Sequence, residues 1–190
     1  QLLQRALELE PNFARAHAAL ADVWFVRGQD QREVGRFGAR DSPLQRQVIA
    51  RIRLALELDS NSAEANASLG GALWIGWELA ASERALRRAI ELNPNYASAH
   101  QWLGRCLLAQ GRIDEALREL KTAALLDPLS SRIADNLGRG LCAAGRFTEA
   151  GAVYDQAIAL QPRSFQALRQ KAWVLKRLGQ PAEAAAILRS

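Results

Sequence analysis

The feature that most constrains this chain is a period of 34 residues, at which six columns of residues recur. The columns hold Leu73, Leu107, Leu141 and Leu175; Gly70, Gly104 and Gly138, then Ala172; Gly111, Gly145 and Gly179; Ala116, Ala150 and Ala184; Ala89, Ala123 and Ala157; and Pro94, Pro128 and Pro162. A fixed period of this length is the sequence signature of a protein built from stacked structural repeats.

Each repeat is predicted to be a helical hairpin. Leu103 and Gly104 lie on one face of a first helix, where the leucine is buried and the missing glycine side chain allows a neighbouring helix to approach closely. Gly111 is predicted to end that helix, because a positive φ is cheap for glycine. Pro128 closes the second helix. Such a hairpin cannot bury its own faces, so it must stack on its neighbours.

Composition agrees with an all-helical chain. About a third of the residues are alanine or leucine, the two best apolar helix formers, whereas the 13 Gly and 6 Pro are too few for a β-sandwich, a barrel or a disordered tail. The 2 Cys exclude a disulfide scaffold and a cysteine zinc site. No apolar run is long enough to span a membrane. Both ends read as helix interiors, so we expect a piece of a longer protein.

The pattern resembles the tetratricopeptide repeat (TPR), whose signature is W-x₂-L-G-x₂-Y, then A-x₃-F, then A and P. Residues 97–130 carry Leu103, Gly104, Leu107, Ala116, Leu120, Ala123 and Pro128 at these positions. The resemblance implies an all-α fold, a right-handed α-α superhelix of about five helical hairpins in a single domain, residues 1–190.

The period predicts how the chain divides into repeats. The expected segments are 1–13 as the end of a preceding repeat, 14–62 as a repeat with an exposed insertion at about 28–42, the regular repeats 63–96, 97–130 and 131–164, and a truncated repeat 165–190. Three residues depart from the pattern: Trp77 replaces the turn glycine, Ser82 replaces an alanine, and Lys171 replaces a buried leucine. We expect the Lys171 ammonium to reach out of the core, or the last repeat to be looser.

Three phrases carry a finer resemblance, Asn93-Pro94-Asn95-Tyr96, Ala99-His100-Gln101-Trp102 and Leu126-Asp127-Pro128-Leu129-Ser130. They look like the TPR region of bacterial multidomain signalling proteins, which pair TPRs with a winged-helix or an adenylate-cyclase-type domain. This resemblance implies a module of a larger bacterial protein in the cytoplasm, or in the periplasm if that protein has a membrane anchor.

The residues give no sign of an enzyme, a cofactor or a metal site. His17 and His100 occupy the same slot of a first helix, where packing explains them, and neither has a His or Cys one turn away. Cys106 and Cys142 occupy different positions of their repeats, which disfavours a disulfide. The run from Gly35 to Gly38 lacks the Lys and Ser/Thr of a phosphate-binding loop. We therefore expect no catalytic residues and no small-molecule substrate.

The basic excess lies in the second half of the chain. Residues 1–96 hold 12 basic and 12 acidic side chains, whereas residues 97–190 hold 13 and 8. The TPR resemblance implies a concave groove lined by first helices, which here present Trp74, Trp102, Arg105, Arg132, Asn136, Arg139, Arg169 and Trp173. Arginines beside tryptophans suit an extended acidic peptide, so a protein or peptide partner is predicted to bind there.

Two alternatives to peptide binding stay open. The basic half is a solvated helical surface without a partner, or it contacts nucleic acid as part of a transcription regulator. A chaperone-adaptor role is disfavoured. Of the slots in the TPR carboxylate clamp, only that of Asn136 holds the expected residue type, and Arg132 replaces a lysine.

Overall fold

The computed structural model describes residues 43–188, which form α-helices joined by short turns and contain no strand. The nine helices of this range are α1 (Pro43–Leu58), α2 (Ala63–Ile75), α3 (Leu79–Leu92), α4 (Ala97–Ala109), α5 (Ile113–Leu126), α6 (Ser131–Ala143), α7 (Phe147–Leu160), α8 (Phe165–Arg177) and α9 (Pro181–Ile187). The all-α class expected from the sequence is therefore confirmed.

Several expectations are not tested by this range. The segment 1–13, the first helix of the repeat at 14–62 and the insertion at 28–42 lie outside the described residues. The division into one domain with the repeat boundaries given above stays a prediction. Within residues 43–188, no helix combines the length and the apolar character that crossing a membrane requires.

The chain divides into two compact units, residues 1–106 and residues 107–190. In the first unit, α1 packs on α2, and α2 packs on α3 as a helical hairpin. Val48 and Ile52 of α1 and Leu86 of α3 are completely buried in its core. Leu86 lies directly over Gly70, where a β-carbon would collide with the leucine side chain. The glycine at this position is what permits such a close helix contact.

In the second unit each helix from α5 to α9 packs on the next one along the chain. Its core contains Leu117, Leu141, Ala150, Tyr154 and Val174. This sequential packing is what a stack of amphipathic hairpins requires, because each hairpin buries its apolar faces against the preceding and following ones.

The turns inside the hairpins use the same backbone conformation at the same place in the period. Gly111, Gly145 and Gly179 have φ angles of 76°, 73° and 79°, and Trp77 has a φ of 60°. In each turn the next residue's N–H returns to the helix, as when Arg146 donates to the Leu141 carbonyl at 2.8 Å. The left-handed backbone conformation expected for the turn glycine is thus also adopted by Trp77 in its turn.

Lys171 shows how a charged residue is accommodated at a core position. Its side chain is only 14% exposed, and its ammonium lies 2.7 Å from a carboxylate oxygen of Asp155. It also donates to the carbonyl of Gly151 at 3.1 Å. The aliphatic part is buried while the charge reaches polar partners on α7, so the expectation that its ammonium leaves the core is confirmed.

Candidate functional site

The structure places the predicted site residues on four helices, α2, α4, α6 and α8, which are the first helices of the hairpins. The first unit holds Trp74, Trp102 and Arg105, and the second unit holds Arg132, Asn136, Arg139, Arg169 and Trp173. Serine side chains begin three of these helices, α2, α6 and α8, since Ser62, Ser130 and Ser164 each accept a backbone N–H three residues later. Such N-caps fix where α6 and α8 begin, and therefore which residues face together.

The three predicted residues of the first unit form one cluster. The guanidinium carbon of Arg105 lies 4.0 Å from the ring centroid of Trp74 and 4.3 Å from that of Trp102. The two indole centroids are 5.7 Å apart. Both contacts are close enough for favourable cation–π attraction. Trp102 is only 7% exposed, so it supports the arginine and offers little surface of its own to a partner.

In the second unit a pocket of about 340 Å³ brings together three of the predicted residues. It is lined by Arg139, Cys142, Tyr154, Arg169, Gln170 and Trp173. Arg132 and Asn136 do not line it: Arg132 is exposed on the first turn of α6, and Asn136 is 5% exposed. Of the five site residues predicted in this unit, only Arg139, Arg169 and Trp173 line the pocket.

Three helices build this pocket. Arg139 and Cys142 lie one turn apart on α6, and Arg169 and Trp173 lie one turn apart on α8, so each pair shares a helix face. Tyr154 reaches the pocket from α7, and its ring passes over Gly138. A β-carbon at Gly138 would lie 2.5 Å from the ring carbon that bears the hydroxyl. The glycine is therefore what allows the tyrosine to occupy this position.

The two arginines of the pocket form no ion pair with a carboxylate of the described residues. Arg139 is exposed and has no hydrogen-bond or ion-pair partner among residues 43–188. Arg169 is also exposed, and it donates to the side-chain oxygen of Gln166 at 3.0 Å. Within the described range neither guanidinium pairs with a carboxylate, so both are available to an incoming anionic group.

The Tyr154 hydroxyl is a buried donor without a partner. The residue is 1% exposed, and its oxygen makes no hydrogen bond to any described residue. Burial raises the pKa of this phenol strongly, and the charges of Asp135 and Cys142 raise it further. The hydroxyl consequently stays protonated and can act as a donor. Sequence analysis missed it as a site residue, because a signature aromatic position predicts core packing.

An exposed aromatic group stands at the edge of the pocket. Trp173 is 46% exposed and contacts Phe147 edge-on, with ring centroids 5.9 Å apart. The Arg177 guanidinium lies 5.1 Å from the Phe147 centroid and 5.8 Å from that of Trp173. These contacts hold the indole in place while leaving nearly half of its surface open. Trp173, unlike Trp102, can therefore offer a rigid apolar surface to a partner.

Cys142 has the character of a packed thiol. Burial raises its pKa, and the negative charge of Asp135 raises it further. The thiolate is the nucleophilic form, so both effects lower the reactivity of this cysteine. Among the described residues, no group of three or more His, Cys, Asp or Glu side chains is arranged to hold a metal ion.

Comparison with known families agrees with the repeat period. Two family profiles, both described as tetratricopeptide repeat, match residues 78–138 and 136–190. The chain carries tetratricopeptide repeats. The TPR repeats expected from the signature residues are therefore confirmed over this range. No curated protein sequence matches the chain significantly.

Solved structures share the TPR fold along most of the chain. A crystal structure of MamA is 25% identical, with 85% of each chain covered and a TM-score of 0.60. MamA 41-end from Desulfovibrio magneticus RS-1 is 16% identical, with 91% of this chain and 92% of that chain covered and a TM-score of 0.68. YrrB, described as a TPR protein with an unusual peptide-binding site, is 17% identical, with 100% and 90% covered and a TM-score of 0.65. These likenesses confirm the all-α TPR solenoid fold.

Proposed function

We propose that this TPR chain is a protein-interaction module whose second unit binds an acidic peptide segment of its partner. The observation that carries the proposal is the pocket between Arg139, Arg169 and Trp173, in which two guanidinium groups have no acidic partner among the described residues. A peptide carboxylate would supply the missing negative charge, and an adjacent apolar side chain would cover the exposed indole.

The chemistry of the pocket favours a carboxylate beside an apolar group. A guanidinium and a carboxylate form charge-assisted hydrogen bonds, often two in parallel, which are about twice as strong as bonds between neutral groups. Trp173 adds a rigid apolar face with little side-chain entropy to lose. The pocket volume of about 340 Å³ lies at the small end of ligand pockets, which suits one or two peptide side chains.

Within the first unit, taken by itself, the proposal assigns a separate partner contact to the cluster around Arg105. Arg105 is held over Trp74 and Trp102, so its position is fixed before any partner arrives. A preorganised cation loses less conformational entropy on binding than a freely rotating one. Exposed Arg132 and buried Asn136 of the second unit belong to the wider proposed surface, next to the pocket rather than in it.

The comparisons support peptide as the class of ligand. YrrB is described as a TPR protein with an unusual peptide-binding site, and its structure is similar to this one with a TM-score of 0.65. We further propose that the chain is a non-catalytic module of a larger bacterial signalling protein, with the winged-helix and adenylate-cyclase-type architectures as the candidates. The three sequence phrases within residues 93–130, which resemble such proteins, support this context. A module of that kind lies in the cytoplasm or, if the larger protein has a membrane anchor, in the periplasm.

Charge reversal in the pocket tests the proposal. The probes are a fluorescein-labelled acidic hexapeptide that contains one aromatic residue, and its version with Gln in place of each Glu. We expect the 190-residue chain to bind the acidic peptide more tightly, and the double variant Arg139→Glu, Arg169→Glu to lose at least about a hundredfold in affinity, since two charge-assisted contacts become repulsive. Fluorescence anisotropy at fixed ionic strength measures both affinities.

The matched control reverses two exposed arginines outside the pocket, Arg118 and Arg163, and leaves the net charge equal to that of the test variant. We expect this control to bind within about threefold of the wild type. Equal losses in the two double variants would show that only net charge matters, which contradicts a site at the pocket. Tighter binding of a single-stranded DNA oligonucleotide, with a steep dependence on salt, would instead favour nucleic-acid contact.

A further inference from the structure

One column of the 34-residue period differs chemically between the hairpins. Three of its four members are leucines, and only one carries a hydroxyl: the column holds Leu86, Leu120, Tyr154 and Leu188. Leu86 and Leu120 are completely buried, and Tyr154 is buried to the same degree. A leucine is thus sufficient for packing at this place, and the phenol oxygen is an addition that packing does not require.

The added oxygen belongs to a residue that lines a pocket. Tyr154 lines the pocket of Arg139, Arg169 and Trp173, and its hydroxyl is buried with no hydrogen-bond partner among the described residues. Buried polar groups in proteins are nearly always hydrogen-bonded, so an unpartnered one requires an explanation. A bound group that accepts a hydrogen bond from Tyr154 provides it.

We propose that the Tyr154 hydroxyl is the specificity-determining donor of this pocket, and that it binds one oxygen of a peptide carboxylate whose other oxygen pairs with Arg139 or Arg169. The inference rests on the proposed peptide-binding function and names the group that the pocket selects. Trp173 then contacts the apolar side chain next to that carboxylate.

The three groups proposed to hold the ligand, the two guanidinium groups and the Tyr154 phenol, all act as donors. A guanidinium has no acceptor, and the phenol stays protonated because burial and the charge of Asp135 raise its pKa. The ligand must therefore present acceptor atoms, and a carboxylate presents two.

A carboxylate can come from a Glu or Asp side chain or from the C-terminus of a peptide, and three probes separate these sources. They are a labelled acidic hexapeptide with a free C-terminus, the same peptide as its C-terminal amide, and the free-terminus peptide with Gln in place of each Glu. If the amide binds as well as the free acid, the side chain is the bound group. If the Gln version binds as well, the terminus is the bound group.

Tyr154→Phe tests the inference, because it removes one oxygen and retains the ring. We expect about a tenfold to hundredfold loss of affinity for the probe that carries the preferred carboxylate, since a hydrogen bond to a charged acceptor is lost. The melting temperature should stay the same or rise, because no residue in the range 43–188 bonds to the hydroxyl. Tyr96→Phe is the matched control, and it should change neither affinity nor specificity.

A spectroscopic readout separates binding from a structural effect. The chain has 2 Tyr, so ¹³C labelling of the tyrosine ring carbon that bears the oxygen gives two signals, and Tyr96→Phe assigns them. We expect the Tyr154 signal to shift on addition of the carboxylate probe. No shift, or an unchanged affinity in Tyr154→Phe, would overturn the inference while the loss in the double arginine variant still supports the proposed function. Failure of the wild type to bind any of the three probes would overturn both.

Discussion

Two hairpins of this chain bury a hydroxyl at the same helix contact and treat it in opposite ways. In the α2–α3 hairpin, the completely buried Ser82 donates to the carbonyl of Gly70 at 2.7 Å. In the α6–α7 hairpin the buried hydroxyl belongs to Tyr154, which lies over Gly138 and has no partner among the described residues. One backbone arrangement therefore accommodates a hydroxyl that bonds within the fold and another that no described residue bonds.

The turns of the same two hairpins differ as well. Trp77 has a φ of 60° in the first turn, at the place where Gly145 has a φ of 73° in the second. The tryptophan is 60% exposed, so burial of its side chain offsets little of the free-energy cost of this backbone conformation. A left-handed conformation costs a residue with a side chain roughly 1–2 kcal/mol. The Ser82 hydroxyl is thus hydrogen-bonded while the Trp77 turn is strained. In the α6–α7 hairpin, the Tyr154 hydroxyl has no partner among the described residues and the turn residue is a glycine without this strain.

The largest expected effect on stability comes from adding a β-carbon at Gly70 and at Gly138, where a neighbouring side chain already lies against the glycine. Gly70→Ala should lower the free energy of unfolding by about 3 kcal/mol, because the new β-carbon collides with the completely buried Leu86. Gly138→Ala should cost only about 1 kcal/mol, since the Tyr154 ring can move toward the pocket that it lines. Urea unfolding followed by circular dichroism measures both changes.

The control for this pair is Gly151→Ala on α7. A β-carbon there would meet only ordinary contacts, at 3.4 Å from the Lys171 ammonium and 3.6 Å from Val174. Alanine is the better helix former by about 1 kcal/mol, so this variant should be neutral or more stable. A loss for Gly138→Ala as large as that for Gly70→Ala would show that the Tyr154 ring cannot move, and that the two helix contacts are equally rigid.

The next effect is a reciprocal change in the turns. Trp77→Gly should stabilise the chain by about 1 kcal/mol, because glycine adopts a positive φ without steric cost. Gly145→Ala should destabilise it by about 1 kcal/mol, and this cost is purely conformational since a β-carbon there meets nothing within 4 Å. Thermal unfolding monitored at 222 nm, about the usual helix minimum, compares both variants with the wild type.

A loss of stability in Trp77→Gly would mean that the indole makes contacts in solution that outweigh the backbone strain. The Trp77 turn would then be the more stable of the two, because its side chain stabilises it, whereas the Gly145 turn is stabilised by its backbone alone.

The sequence predicted the fold because the 34-residue period marks positions at which the backbone conformation requires a particular residue type. Helical hairpins, a left-handed residue in each turn and a close helix contact at Gly70 and Gly138 all depend on glycine, alanine and leucine at fixed spacing. These residues act through sterics, and steric requirements are visible in one sequence. Trp77 departs from the period in sequence but not in conformation, because the tertiary packing of α2 and α3 fixes the turn.

The candidate site was predictable only as a set of residues on first helices. The period assigns Trp102 and Trp173 to the same kind of helix, yet Trp102 is 7% exposed and Trp173 is 46% exposed. Burial depends on which side chains the neighbouring helices present, and a helical period does not contain that information. For the same reason the aromatic position of the TPR signature accounts for the buried ring of Tyr154 but does not show that this residue lines a pocket.

The smallest expected effect is the most direct test of the two hydroxyls. Ser82→Ala removes a buried hydrogen bond of 2.7 Å and should cost about 1 kcal/mol of unfolding free energy. The cost stays small because the Gly70 carbonyl lies inside α2, where the helical backbone bond still satisfies it. Tyr154→Phe removes a hydroxyl that no described residue binds, so the free energy of unfolding should stay the same or rise by up to about 1 kcal/mol. Urea midpoints at constant m-value measure both variants. Equal losses would show that the Tyr154 hydroxyl is bonded within the free protein, and the difference between the hairpins would then lie in their turns alone.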